Sequence, residues 1–407
     1  MARCLFISYD GPSHDYLEAL FVPVLGATSH EVTILEMCPA GSTAAIEDRF
    51  RNGKVEVRTV VYRGSSSGLI SAGNALTSAL LPTVRLVRAL RPEIVHTRSY
   101  IPALLGLGLK MIRPSSRLVV DLDGWMPQDR VDAGSWSQDG RMYKLFATIE
   151  RLALRYGDAV VCKTERDAKR LSRLLGPSME AKVDVVPNGA DPRIFRPLGP
   201  SERAAVRAEL AVPLGGLLLV HSGSFGELYA PEAVFSLFNL VLDRRPEAWL
   251  LVATHDVEAA AAAVSRLPPR TQDRVRVTRL SHSEMPRVLS AADVGLALRS
   301  EAPSLSAVSP IKVAEYLCSG LPVLTNSAVG DLAAMFDGHD TAGLVLASLA
   351  PECLREGADW VAHVSGDQAE VRRQDARRFG EAEFSLARAA AGYERIYAKV
   401  LGRNDDS

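Results

Sequence analysis

Paired cysteines, long apolar runs and an excess of charge of one sign are all missing from this 407-residue chain. Its five cysteines (Cys4, Cys38, Cys162, Cys318, Cys353) are odd in number, far apart and without a CxxC pair. That excludes a disulfide framework or a structural zinc site. No apolar run reaches the roughly 18 residues of a membrane-spanning helix, and no basic segment followed by an apolar run opens the chain, so a cytoplasmic protein is expected. Lys plus Arg (47) nearly cancels Asp plus Glu (48), for a formal net charge of -1. Overall charge therefore gives no reason to expect nucleic acid or an anionic membrane as partner. Amphipathic helices in the first half have a pattern able to touch a membrane, but no basic cluster along the sequence supports it. Lysine is scarce as well, at eight of the 47 basic residues.

What is present is apolar material in quantity: hydrophobic residues make up 47% and charged residues 23%. A chain of this length and composition can bury two cores. Short apolar runs at 3–8, 31–35, 55–61, 94–97, 118–122, 159–162 and 183–186 alternate with segments of helical periodicity. The pattern predicts a parallel sheet covered on both faces. Pro197, Pro200, Pro213 and the Gly215-Gly216 pair then mark a linker, after which strand and helix patterns resume from Leu217. The expected architecture is α/β, two doubly wound domains in tandem, with boundaries 1–197, 198–385 and a final helix at 386–407. Ligands of such folds bind at the carboxyl ends of the strands, so chemistry-bearing residues belong just after strands.

Four segments answer to that. In Ser309-Pro310-Ile311-Lys312-Val313-Ala314-Glu315, Ser309 is a suitable N-cap and Pro310 a suitable first helical residue. Free amides at such a helix start attract an anion. Lys312 and Glu315 share a face; a lysine suits phosphate and a carboxylate one turn on suits the hydroxyls of a ribose. The same spacing also describes an ordinary capped amphipathic helix. The second segment, His221-Ser222-Gly223-Ser224-Phe225-Gly226, follows an apolar strand and lets backbone approach a phosphate, or is simply a Gly-rich turn. The third, Asp121-Leu122-Asp123-Gly124-Trp125, offers two carboxylates at a strand end for a divalent metal, a general base or an oriented acceptor, or for solvent alone. The fourth, Pro187-Asn188-Gly189-Ala190-Asp191, is a turn.

Six segments in order, IVHTRSYIPALLGLGLK (94–110), VVDLDGWMPQDRVDAGSW (119–136), VVPNGADPRIF (185–195), HSGSFGELY (221–229), AADVGLAL (291–298) and SPIKVAEYLCSGLPVLTN (309–326), resemble the retaining GT-B glycosyltransferases of group 1. The resemblance implies two Rossmann-like domains facing across a cleft, with the last helix returning to the first domain. It implies transfer of a sugar from a nucleoside diphosphate donor (UDP or GDP type) to a small-molecule acceptor with retention, and neither metal nor cofactor. Glu315 would take the ribose hydroxyls. Amides of Ser309, Pro310, Ile311, Lys312 and Val313 and the loop of Gly223, Ser224 and Phe225 would meet the diphosphate, with His255 and Arg279 framing the base. Asp10, Gly11, Arg98, Tyr100, Asp121 and Trp125 would bind the acceptor, and Asp123 and Lys312 would serve catalysis.

The chain departs from the family pattern. Ala307 stands where a glutamate commonly meets the donor sugar. Ser224 and Tyr229 stand where an arginine and a lysine commonly neutralise the diphosphate, and Asp123 where His or Arg is frequent. Three other readings stay open: a metal site at Asp121 and Asp123, a nucleotide-sugar-binding protein without transfer activity, and transfer to sulfur or nitrogen. The base, the sugar and the oligomeric state are left open.

Overall fold

The structure, a computed structural model, describes residues 1–9, 17–40, 55–64, 68–366 and 368–403. Asp10 and Gly11 lie outside the described residues, as does the tail from 404. The chain divides into two compact units, residues 1–187 with 389–407, and residues 188–388.

The first unit is built on seven strands: β1 (Arg3–Ser8), β2 (Glu31–Pro39), β3 (Val55–Tyr62), β4 (Ile94–Arg98), β5 (Arg117–Asp121), β6 (Ala159–Cys162) and β7 (Val183–Val185). They form one sheet in the order β3-β2-β1-β4-β5-β6-β7, parallel throughout. Strand order reverses at β1, where Leu5 lies between Thr33 of β2 and Val95 of β4. β4 and β6 are buried at every residue while β3 alternates, the difference between strands covered on two faces and a half-exposed edge.

The helix Leu386–Val400 completes this unit from Ala389 onward. Tyr393 and Tyr397, one turn apart, are both buried. The Tyr397 hydroxyl lies 2.7 Å from His96 Nδ1. The Tyr393 hydroxyl donates to Asp121 Oδ2 at 2.8 Å, the same oxygen that Lys163 Nζ meets at 2.7 Å. Burial holds His96 neutral, its pKa pushed down to about 4.

The second unit has six parallel strands, β8 (Leu218–Ser222), β9 (Trp249–Ala253), β10 (Val275–Thr278), β11 (Val294–Ala297), β12 (Val323–Asn326) and β13 (Gly343–Leu346), in the order β10-β9-β8-β11-β12-β13. Alternate side chains feed two separate cores. Leu218, Val220 and Leu251 enter one, and Leu219, Leu250 and Val252 the other. That is the period of two expected of a sheet packed on both faces. The order reverses at β8, between β9 and β11. The Pro- and Gly-rich stretch expected as a linker lies inside this unit. Arg207 is buried there, donating to the carbonyls of Ala291 and Gly216 and pairing with Asp293.

Candidate functional site

The second unit's reversal point is where its charged residues converge. β8 ends at Ser222, and Gly223 turns the chain with φ of 93°, a conformation that a Cβ would strain. Beyond β11, Asn326 fixes the backbone of Arg299 through two hydrogen bonds, accepting from its N–H at 2.9 Å and donating to its carbonyl at 3.0 Å. The helix Ile311–Cys318 lies alongside. Its orientation is set by Tyr316, fully buried, whose hydroxyl accepts from the Ser222 N–H at 2.8 Å and lies 2.9 Å from Ser222 Oγ. Gly295 of β11 leaves room for this ring; a Cβ there would fall within van der Waals contact of it.

With Tyr316 facing the sheet, Lys312 one turn earlier points toward the β8 loop. Its Nζ is shut away from solvent and has no hydrogen-bond partner among the described residues, and a Cβ on Gly223 would lie 3.5 Å from it. The ammonium sits 4.9 Å from the centroid of the Tyr229 ring, and the Arg299 guanidinium carbon 3.7 Å from the same centroid. Burial, and then the positive charge of Arg299, hold the Lys312 pKa well below its usual value, with Glu315 opposing. Among the described residues neither Lys312 nor Arg299 forms an ion pair with a carboxylate. Two like charges are thus brought to the same aromatic ring, which offsets a small part of the repulsion. An anion placed there would relieve the repulsion.

Glu315 lies one turn beyond Lys312. Burial pushes its pKa up to about 7, and Lys312 pulls in the opposite direction. His221, fully buried, has its Nε2 3.1 Å from the Ser224 carbonyl, and its Nδ1 is without a partner among the described residues. Burial and the two nearby cations keep it neutral. Phe225 is buried against His221 and Phe235, and its N–H donates to Asp256 at 3.2 Å. His255 and Arg279 stand exposed after β9 and β10, joined by a 2.9 Å bond from the guanidinium to the His255 carbonyl.

The helix start differs from expectation. Pro310, not Ser309, is its N-cap, and no side chain caps it. Ser309 is drawn to Asn188 instead: its Oγ accepts from the Asn188 N–H at 3.2 Å, and its carbonyl from Asn188 Nδ2 at 2.8 Å. The Val313 N–H closes a turn on Pro310. Arg299 was not singled out from the sequence. The signal was its position, two residues past a buried strand at the reversal of strand order.

In the first unit the expected residues do gather at the ends of β4 and β5, but they are engaged with one another. Buried Arg98 pairs with Asp123 at 2.6 Å and lies 4.5 Å from the centre of Phe21. Asp121 is sealed beneath Lys163 and Tyr393. Tyr100 is fully buried, its hydroxyl 3.5 Å from the Gly124 carbonyl, and Trp125 stacks under Arg170 at 4.3 Å. Ser99 and Asp123 both take positive φ, of 74° and 57°. Two strained non-glycine residues on adjacent strand exits are a mark of a functional edge.

A family model described as Glycosyltransferase Family 4 matches residues 21–193. D-inositol 3-phosphate glycosyltransferase from Nocardia farcinica is 28% identical over 62% of this chain and 55% of its own length. The chain thus spans about half the length of the curated relatives it matches. Among solved structures, sucrose-phosphate synthase from Thermosynechococcus elongatus superposes with a TM-score of 0.76 at 16% identity, covering 99% of this chain and 100% of that one. HepE from Anabaena, in complex with UDP and glucose, gives 0.70 at 14% identity over 99% and 100%. The fold is GT-B, and the resemblance to the group 1 glycosyltransferases is borne out.

Proposed function

We propose that this chain is a retaining glycosyltransferase whose second unit holds a nucleoside diphosphate sugar, of UDP or GDP type, for transfer to a small-molecule acceptor without a metal. The observation that carries the reading is the convergence of Lys312 and Arg299 on Tyr229, two cations with no carboxylate partner among the described residues. It answers the departures in the sequence: the positive charge absent at positions 224 and 229 returns from β11 and the helix beyond it. HepE, of like fold, was solved with UDP, which supports a diphosphate as the anion.

In this reading charge builds on the leaving diphosphate as the bond to the anomeric carbon lengthens. Lys312, Arg299 and the first amides of the helix Ile311–Cys318 stabilise it in a water-poor setting. The departing phosphate oxygen takes the acceptor proton, and Asp123, held by Arg98, orients the acceptor. Glu315 accepts the ribose hydroxyls. One observation favours a binding protein without transfer activity: Ala307 is buried and brings no polar group for the donor sugar.

Calorimetric titration with UDP, GDP and ADP, first without metal and then with Mg²⁺, tests the site. Tight binding of one nucleotide without metal supports it, and binding that requires Mg²⁺ overturns the metal-free reading. Turnover assays with UDP- and GDP-sugars then separate an enzyme from a binding protein.

A further inference from the structure

The first unit carries its positive charge on one layer of helices. The helices Gly68–Leu90, Tyr100–Ile112, Arg141–Tyr156 and Glu165–Leu175 pack side by side. Together they hold 11 Lys and Arg against three Asp and Glu, in a chain whose formal net charge is -1. Two of the three acids, Glu150 and Asp167, are buried and spent on Arg170. Arg141, Lys144, Arg151, Arg155, Lys169 and Arg173 form no ion pair with a carboxylate among the described residues, and all six are exposed.

The helix Arg141–Tyr156 shows how the surface is drawn. Its buried side holds Phe146, Ile149, Ala153 and Leu154. On its solvent side, Lys144, Arg151 and Arg155 lie at i, i+7 and i+11 and make one stripe, and Leu145, Leu152 and Tyr156 make a second directly beside it. Tyr156 is 53% exposed. On the two neighbouring helices Met111, 84% exposed, and Leu174, 52% exposed, add further apolar surface to this layer. An aliphatic row flanked by unpaired cations is the composition that lies in a lipid interface, with the apolar chains below the headgroups and the cations against their phosphates.

We propose that this helix layer docks on an anionic phospholipid surface. The inference does not depend on the reading of the donor site. Nucleic acid would use the cations but not Leu145, Leu152 and Met111. A second copy of the chain placed face to face would oppose like charges. Along the sequence these charges are spread over two helices from 141 to 173, and only packing unites them.

The test is co-sedimentation of the full chain with vesicles of phosphatidylcholine, with and without phosphatidylglycerol. The expected result is binding only when phosphatidylglycerol is present, weakened by salt. It should fall at least about tenfold in the variant K144E/R151E/R155E and also in L145S/L152S. Circular dichroism and UDP affinity of both variants are read alongside, so that loss of fold is not taken for loss of docking. No vesicle binding, or equal binding to uncharged vesicles, overturns the proposal. So does self-association in ultracentrifugation that both variants abolish, which assigns the face to a second copy. Duplex DNA binding lost only in the charge variant, without vesicle binding, assigns it to nucleic acid.

Discussion

Lys312 and Arg299 both approach the Tyr229 ring, and a bound diphosphate would relieve their mutual repulsion. Replacing Lys312 by Ala should weaken UDP binding about 30-fold, equivalent to about 2 kcal/mol, and Arg299→Ala should have a similar effect. Calorimetry reads both, and a change below twofold in each would remove these residues from the phosphate site. The same residues make binding proton-linked. Hydroxyl donors favour ionised Glu315, lowering a pKa now near 7, so nucleotide binding at about pH 6.5 should release a proton from it. An anion beside Lys312 moves its depressed pKa in the opposite direction, upward. Titrations in two buffers of different ionisation enthalpy should therefore show a proton release that Glu315→Gln abolishes. For stability the sign follows from the raised carboxyl pKa. The contribution of Glu315 is fully present below its ordinary value of 4.5 and is lost as pH rises through about 7. Glu315→Gln should flatten that part of the pH–stability curve.

At the scale of elements, the helix Ile311–Cys318 depends on one ring. Tyr316→Phe removes the hydroxyl from Ser222 and should cost about 1–2 kcal/mol. Gly295→Ala overpacks the same contact and should cost about 1–3 kcal/mol. Thermal melts read both; a melting point unchanged in Gly295→Ala would mean that the ring is not seated on β11. Strands such as Trp249–Ala253 were legible from the sequence because an apolar run bounded by turn residues is a local signal. β13 was not, since Gly343–Leu346 opens on a glycine and offers only three apolar residues. Ser309 misled for a physical reason. Its capping role is visible in the sequence, while the competing Asn188, 121 residues away, is not. Asp121 and Asp123, two residues apart in sequence, are engaged separately, by Lys163 and Arg98, which spacing alone does not reveal.

For the whole molecule, the pairing that spacing cannot reveal is also the one that organises it. The bond from Tyr393 to Asp121 spans 272 residues, and the second unit is strung between the two parts of the first. A chain ending at residue 388 should keep the second unit's melting transition and its UDP binding. It should lose the first unit's transition, because the buried Asp121–Lys163 pair and the apolar floor under Tyr397 are then opened to water. Scanning calorimetry would show it, and two intact transitions would deny the helix this role. The arrangement also dictates an order of events on the ribosome. All of the second unit emerges before the segment that closes the first, so the earlier-made half of the protein is the later one to finish. Until synthesis reaches Tyr397 it must wait with an open seam, and nascent chains stalled anywhere before that point should be the ones that chaperones hold.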